Sequence, residues 1–475
     1  MKILLTGATG YIGKRLLIQL LSQGHTVVCS VRDSMRFNSA KYKDAPGEIE
    51  VIENDFLDPE SLSSIPADID AAYYLIHSMS SSAGDFSQME LDSATNFRKA
   101  IEQTSCKQVI FLTGIANNPK LSKHLSSRLA VEHALESSKY GLTSLRAAII
   151  VGSGSASFEI IRDLVEKLPV MVAPKWLKTK CQPIGIRNVM EFLVGVLGKE
   201  FTYNKSYDIG GKDILTYKEM LLQYAEVRGL KRSIFTVPVM TPKLSSYWLY
   251  FITSTTYPLA KNLVDSMKID VVATPNELAS QLNISLYSYK ESITHAFDKI
   301  KQNDVLSSWY DSFSNPFHKK NVWQYLEVPS KGCYKDVRRR KVHDTETTLD
   351  RIFGIGGRNG WYYANILWKI RGHLDRLFGG VGLRRGRRDQ RSVEPGDSID
   401  FWRVLYSNRE EKRLLLFAEM KVPGEAWLEF RIEGDTLIQE ATFRPLGLAG
   451  RLYWYAVLPF HGLIFNGMIT KLTDK

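Results

Sequence analysis

A doubly wound parallel α/β sheet followed by a smaller α+β domain is the architecture this sequence predicts, on three observations. Over the first 150 residues, short β-branched runs alternate with amphipathic helical periods. The first of these runs ends in a glycine-rich turn that opens a helix. Beyond about residue 345 the pattern changes to strand-like alternation bracketed by aromatic helical stretches. A chain of 475 residues is too long for one domain of the usual ~100–200 residues. With 44% apolar and 24% charged residues the composition is that of a globular protein, and disorder of the whole chain is excluded.

The elements follow in order. Residues 2–6 (KILLT) read as the first strand, and YIGKRLLIQLLSQG as the first helix. Further strands are expected at 25–31, 49–54, 69–78, 107–114 and 142–152, with helices over 87–104 and 122–138 between the later ones. Strand, helix and strand repeated this often give a parallel sheet covered on both faces. Residues 157–169 read as a helix, and 206–229 as a strand, a turn and a helix. A Pro-rich aromatic segment over 236–267 follows, of which 245–257 is expected to cover a substrate. A composition shift at 326–345 marks a linker between a domain of residues 1–325 and a second of 346–475. In the latter, an aromatic helix over 360–380 precedes strands at 401–408, 412–420, 426–434 and 436–445, and a helix over 451–472 closes the chain.

The formal charge of +11 is concentrated. Residues 331–391 carry 16 Lys/Arg against 6 Asp/Glu, including Arg384, Arg385, Arg387 and Arg388. Glycines rather than stacking aromatics surround that cluster, and no helix-turn-helix or finger spacing accompanies it, which argues against a nucleic-acid partner. A solvated face, or peripheral contact with anionic lipid head groups, is expected instead. Four cysteines lie far apart without a CxxC pair, which favours a reducing compartment over a disulfide scaffold. The chain opens directly on a strand, so no targeting peptide is expected. No apolar run reaches the ~18 residues of a membrane span, and a cytoplasmic location follows. Nine scattered histidines without ligand spacing argue against a metal.

TGATGYIG places Gly7, Gly10 and Gly13 between the first strand and the first helix. Gly7 allows the tight turn, Gly10 lets main chain approach a pyrophosphate, and Gly13 lets helix and sheet pack closely. Thr9, Tyr11 and Ile12 complete a cradle whose amides face an anion at a helix N-terminus. Here lies the signature of an NAD(P)-binding Rossmann domain. The second strand ends in Arg32, where an arginine accommodates the 2′-phosphate of NADP; Asp33, one step on, keeps NAD open as the alternative. Asp55, beside Phe56, is positioned either to accept from an adenine amino group or to cap the short helix after Asp58-Pro59.

The TGATGYIG turn, the VRD strand end, NDFLD and LRAAIIVGSGSASFE resemble the atypical short-chain dehydrogenase/reductases of the NmrA-like and isoflavone-reductase-like kind, over roughly residues 1–325. GWYYANILWKIRGHLD, GGVGLRRGRR, DFWRV and YWYAVLPFHGLIFNGM are similar to a domain of unknown function whose fold resembles the START/SRPBCC helix-grip domains. The first resemblance implies a Tyr-x-x-x-Lys pair on the helix after the fifth strand. With Glu132 as reference, this chain has His124 in the tyrosine place and Arg128 in the lysine place. An arginine holds its proton, whereas a histidine relays one near neutral pH. Arg128 is then a candidate contact for the cofactor ribose or phosphate. Thr113 falls near the family's catalytic hydroxyl, and His77 borders the nicotinamide position. These resemblances imply an NADP-dependent oxidoreductase or isomerase for a hydrophobic substrate. The alternatives are a non-catalytic NADP(H) sensor, or a lipid- or quinone-binding accessory protein in which Trp361, Tyr362, Tyr363, Trp368 and Trp454 line a cavity or pack a core.

Overall fold

The computed structural model describes residues 1–32, 34, 37, 39–42, 45–76, 86–117, 123–153, 155–237, 264–265, 267–301, 328, 333–357, 359–377, 380, 382, 393–395, 397–445 and 447–474. The chain divides into two units, Met1–Ser312 and Phe313–Lys475. His77, the substrate-cover segment 245–257 and the basic cluster 384–391 lie outside the described residues.

In the first unit, seven parallel strands form one sheet: β1 (Lys2–Thr6), β2 (Thr26–Val31), β3 (Glu48–Glu53), β4 (Ala71–Tyr74), β5 (Gln108–Gly114), β6 (Gly141–Ala147) and β7 (Lys205–Ile209). Their order is β7-β6-β5-β4-β1-β2-β3, so the winding reverses between β1 and β4. Side chains of a strand alternate between faces, and β1 shows the consequence. Ile3 and Leu5 enter one core with Leu16, Leu17, Leu20 and Leu21 of α1 (Tyr11–Ser22). Leu4 enters the opposite core with Phe97 of α2 (Phe86–Ile101) and Val131 of α3 (Lys123–Ala134). The doubly wound reading of the sequence therefore holds.

A separate core joins α4 (Ala156–Lys167), α6 (Tyr217–Val227) and α7 (Tyr289–Lys301), leaving α5 (Ile186–Gly195) with α1 against the sheet. Phe158, Tyr224 and Phe297 meet there with ring centroids 5.5–6.0 Å apart. Thr216 and Glu219 close a reciprocal capping box on α6, as expected where the 206–229 segment turns from strand to helix.

The second unit is a six-stranded antiparallel sheet of β8 (Tyr334–Lys341), β9 (Ser398–Ile399), β10 (Trp402–Asn408), β11 (Arg413–Ala418), β12 (Gly424–Glu433) and β13 (Thr436–Pro445), in the order β8-β13-β12-β11-β10-β9. Helices α8 (Thr345–Phe353), α9 (Asn365–Leu377) and α10 (Gly447–Thr473) complete it. Leu349, Trp368, Phe465 and Leu472 from these helices share a core with Val404, Leu416 and Leu428 of the sheet.

Two expectations are corrected here. The 326–345 stretch is no linker throughout: Tyr334–Lys341 pairs along its length with Thr436–Phe443, and the unit boundary falls at 312/313 rather than 325. A charged edge strand has no alternating apolar signal, because its charges discourage pairing by another chain. The aromatic helix starts only at Asn365. Gly360, Tyr362 and Ala364 have φ of +60°, +58° and +53°, and the Asn365 carboxamide accepts from the Trp361 amide. That turn drops Trp361 into the core, stacked on Trp368 at 4.5 Å, with its indole N–H donating to Asp400.

Within this unit Arg403 and Glu419 form a fully buried pair on β10 and beside β11, joined at 3.2 Å through Nε and Nη2. Removing one partner strands the other charge in a medium that solvates it poorly. Glu419→Leu is expected to cost about 3–5 kcal/mol, read by denaturant unfolding of the full chain. Arg403→Met combined with Glu419→Leu should recover most of that loss.

Candidate functional site

The site of the first unit is built on the turn between β1 and α1, at the point where the sheet reverses. Gly7 has φ +66°, and a side chain there would meet the Leu75 carbonyl oxygen at 2.9 Å. Its own carbonyl accepts from the Gly10 amide at 2.8 Å and lies 2.1 Å from where a Gly13 Cβ would stand. The turn is therefore closed to side chains at both ends, while Gly10 caps the helix. Ile12 and Gly13 belong to the first helical turn, whose amides have no acceptor within the helix. Such amides and the positive end of the helix dipole suit a pyrophosphate. Ile12 also packs against the core of β1 and α1.

Arg15 and Ser153 lock this turn, and neither is evident from the glycine pattern. The Arg15 guanidinium lies 4.1 Å from the centroid of Tyr11 and donates to the carbonyls of Tyr11 (3.1 Å) and Ser153 (2.9 Å). A side chain on Gly152 would meet the Tyr11 hydroxyl at 2.7 Å, so the main chain at Gly152 sits directly against the cradle. Thr9 is half-buried at its rim.

Arg32 ends β2 exposed to solvent, next to Asp33, which lies outside the described residues. Asp55 is exposed and accepts from the Leu57 amide at 3.1 Å within its own turn. Capping of the helical turn Pro59–Ser64 belongs to Asp58 instead, which accepts from the Glu60 amide. The Phe56 ring is buried against Phe97, with centroids 5.8 Å apart. The apolar surface of Phe56, which the sequence reading places among the cofactor contacts, is spent on that core.

The structure brings Thr113 and Arg128 together at the carboxyl end of β5. Arg128, 5% exposed, donates through Nε to the Thr113 hydroxyl at 3.2 Å, through Nη2 to the Leu112 carbonyl at 2.8 Å and through Nη1 to the Ile76 carbonyl at 3.3 Å. Its guanidinium also faces the Phe111 ring at 4.9 Å. Burial pulls its pKa below the ordinary arginine value, while the carboxylate of Glu90, 3.9 Å away and itself buried, opposes that shift. Arginine stays protonated under such pressure. Ser127 donates to the other oxygen of Glu90 at 2.9 Å.

Glu90 was missed at the sequence level, yet a signal exists. It lies on the buried stripe of α2 with Ser93, Ala94, Phe97 and Ile101, and an acid on such a stripe demands a buried cation. His124 stands one helical turn before Arg128 on α3, with its side chain outside the described atoms. Glu132, the reference residue for that helix, pairs with Arg146 at 2.9 Å and is structural.

The second unit holds a cavity of about 270 Å³ between α9, α10 and the sheet. Trp368, Leu374, Trp402, Phe443, Trp454 and Phe460 belong to its apolar wall. Of the aromatics singled out in the sequence, Trp368 and Trp454 line it, Trp361 is core, and Tyr362 and Tyr363 pack partly buried against that core. His461 is wedged between Trp454 and Phe465, with centroids 4.9 and 4.8 Å away, and its Nδ1 is 3.8 Å from Asp336.

Comparison with known proteins follows this division. Residues 7–154 match the family described as NAD(P)H-binding, and residues 330–468 the family described as a protein of unknown function, DUF2867. The photosystem II assembly factor Ycf39 of Trieres chinensis is 23% identical over 247 residues, covering 52% of this chain and 75% of that relative. The triphenylmethane reductase of Citrobacter sp. superposes with a TM-score of 0.51 at 20% identity, covering 63% of this chain and all of that one. A nucleoside-diphosphate-sugar epimerase from Staphylococcus aureus gives 0.50 at 17% identity, covering 62% and 99%. At such identities the structural likeness is one of fold. The first unit has a Rossmann-type fold whose residues 7–154 match an NAD(P)H-binding family, and the glycine cradle fits such a dinucleotide.

Two outcomes follow. Gly13→Ala forces a methyl group against the Gly7 carbonyl; it should cost about 2–3 kcal/mol of stability and weaken NADPH at least tenfold by calorimetry. His461 has its pKa held below the ordinary 6.5 by burial and by Arg338, against the pull of Asp336. Its folded value is thus below its unfolded one, and its contribution to stability is whole above about pH 6.5 and lost as pH falls through the folded value. Unfolding midpoints should fall between pH 7 and 5, and His461→Gln should flatten that slope.

Proposed function

We propose that the first unit uses NADPH to reduce or isomerise an apolar carbonyl, enone or quinone, with Thr113 as the hydroxyl that polarises the substrate oxygen. The observation carrying this reading is the Arg128–Thr113 hydrogen bond. Because the hydroxyl accepts from a buried cation, its own proton is left to donate elsewhere, and among the described residues no acceptor takes it. A hydroxyl held this way is a stronger donor toward a substrate oxygen gaining negative charge. Bound NADPH supplies the hydride.

Arg128 is a positioning residue here. Its guanidinium is committed to Thr113, two strand-end carbonyls and Glu90, which speaks against direct contact with a ribose. His124, on the same helix one turn away, is the candidate proton relay. Arg32, exposed at the end of β2, supports a preference for NADP over NAD. A second reading is favoured by the cavity in the second unit: an accessory protein that holds a lipid or quinone there.

Turnover of the full chain with NADPH and a panel of apolar enones, aldehydes and quinones tests the proposal. Thr113→Val should lower kcat about 10–100-fold while leaving NADPH affinity unchanged; Thr113→Ser should keep most activity. Arg32→Ala should weaken NADPH far more than NADH. Tight NADPH binding without turnover of any panel member would overturn catalysis and leave the sensor. A lipid or quinone found by mass spectrometry in the gently purified full chain would support the accessory reading.

A further inference from the structure

Two helices of the second unit expose hydrocarbon in a way that water does not explain. On α9, Ile366, Ile370 and Leu374 recur at i, i+4 and i+8 and stand in solvent, followed by Leu377; Ile366 is 73% and Leu377 70% exposed. On α10, Leu452 is 63% exposed, and Tyr455, Phe460 and Leu463 continue the same side. An amphipathic helix in a water-soluble domain turns such a stripe inward. Here the buried side of α9 already carries Trp368, Gly372 and Asp375, so the outer stripe is additional.

Charge on these helices has one sign. Asp375 is the single acid in either sequence; it is 1% exposed and accepts from the amides of Gly382 and Lys421. The remaining charged side chains flanking the stripe are Lys369, Arg371, Arg376 and Arg451. In sequence, residues 378–391 add five arginines against one aspartate. Aliphatic side chains standing clear of a helix, flanked by cations and free of exposed acids, are the composition of a helix that lies in the head-group layer of an anionic bilayer. The cavity adds a second observation. Ile370, Leu374 and Phe460 belong both to the exposed set and to the cavity wall, so the cavity opens through this same face.

We propose that the second unit docks by the α9–α10 face onto an anionic lipid surface, with the cavity mouth turned toward the hydrocarbon. The aliphatic stripe enters the layer between head groups and acyl chains, and the cations pair with lipid phosphates. An apolar molecule dissolved in the bilayer then reaches the cavity without crossing water. The inference stands apart from the reading of the first unit, since no residue of residues 1–312 takes part in it.

Flotation of the full chain with phosphatidylcholine vesicles, with and without added phosphatidylglycerol, tests it. At least tenfold more protein is expected on the anionic vesicles, with the excess falling as salt rises. The triple variant Ile366→Glu, Leu377→Glu, Leu452→Glu alters exposed positions only, so its melting temperature should match the parent while its binding to anionic vesicles drops at least tenfold. Lys369→Glu should lower anionic binding alone. A chain that floats with neither vesicle overturns the proposal, as does a triple variant that binds like the parent. A dimer in sedimentation that the triple variant dissolves would also overturn it, assigning the face to a second copy of the chain.

Discussion

The Gly7 carbonyl occupies the space that a side chain on Gly13 would need, and the first unit depends on that contact. It seats α1 directly on the end of β1 and points the first helical turn into the crevice where the strand order reverses. Any Cβ at either glycine would separate helix from sheet and turn the amides of the turn away from that crevice. Arg15, stacked on Tyr11 and bonded to Ser153, then holds the far side of the cradle against the loop after β6.

Next to this cradle the fold buries a permanent charge. Taking a guanidinium out of water costs several kcal/mol unless partners replace the lost solvent. Arg128 has those partners in two strand-end carbonyls, the Thr113 hydroxyl and the buried Glu90. The arrangement differs in kind from a Tyr-x-x-x-Lys pair. A lysine ammonium is mobile and lowers the pKa of a neighbouring phenol; this guanidinium is fixed and acts by orienting one hydroxyl. Under the proposed function such a site would polarise a substrate oxygen and leave proton delivery to another group, for which His124 on α3 is the proposed candidate.

Much of the first unit was legible because parallel strands are buried on both faces. Ile3, Leu4 and Leu5 must all be apolar, and the glycine turn announces the crevice. Capping was one of two roles the sequence left open for Asp55, and the cap is Asp58 instead. The Glu90–Arg128 pair was harder to see, since its members lie on different helices and each reads as a surface charge unless the buried stripe is traced first. In the second unit the charged strand Tyr334–Lys341 hid within a compositional linker, because an edge strand needs no apolar alternation. Trp361 looked helical because nothing in residue type marks Tyr362 and Ala364 for the left-handed region. Trp368 and Trp454, which the sequence offered as cavity lining or core, do line the cavity, but the rest of its wall comes from α9, α10 and three strands that meet only in the folded unit.

The two units thus pair a dinucleotide cradle with an apolar hollow on one chain, each with its own core. Among the described residues no helix is long and apolar enough to cross a membrane, and α9 and α10 of the second unit leave apolar side chains exposed. The most direct measurement is a crystal structure of the full chain grown with NADPH. The account predicts the pyrophosphate against the amides at residues 9–13 and the nicotinamide ring within reach of the Thr113 hydroxyl. A dinucleotide bound elsewhere, or a ring turned away from β5 with Thr113 out of reach, would contradict it.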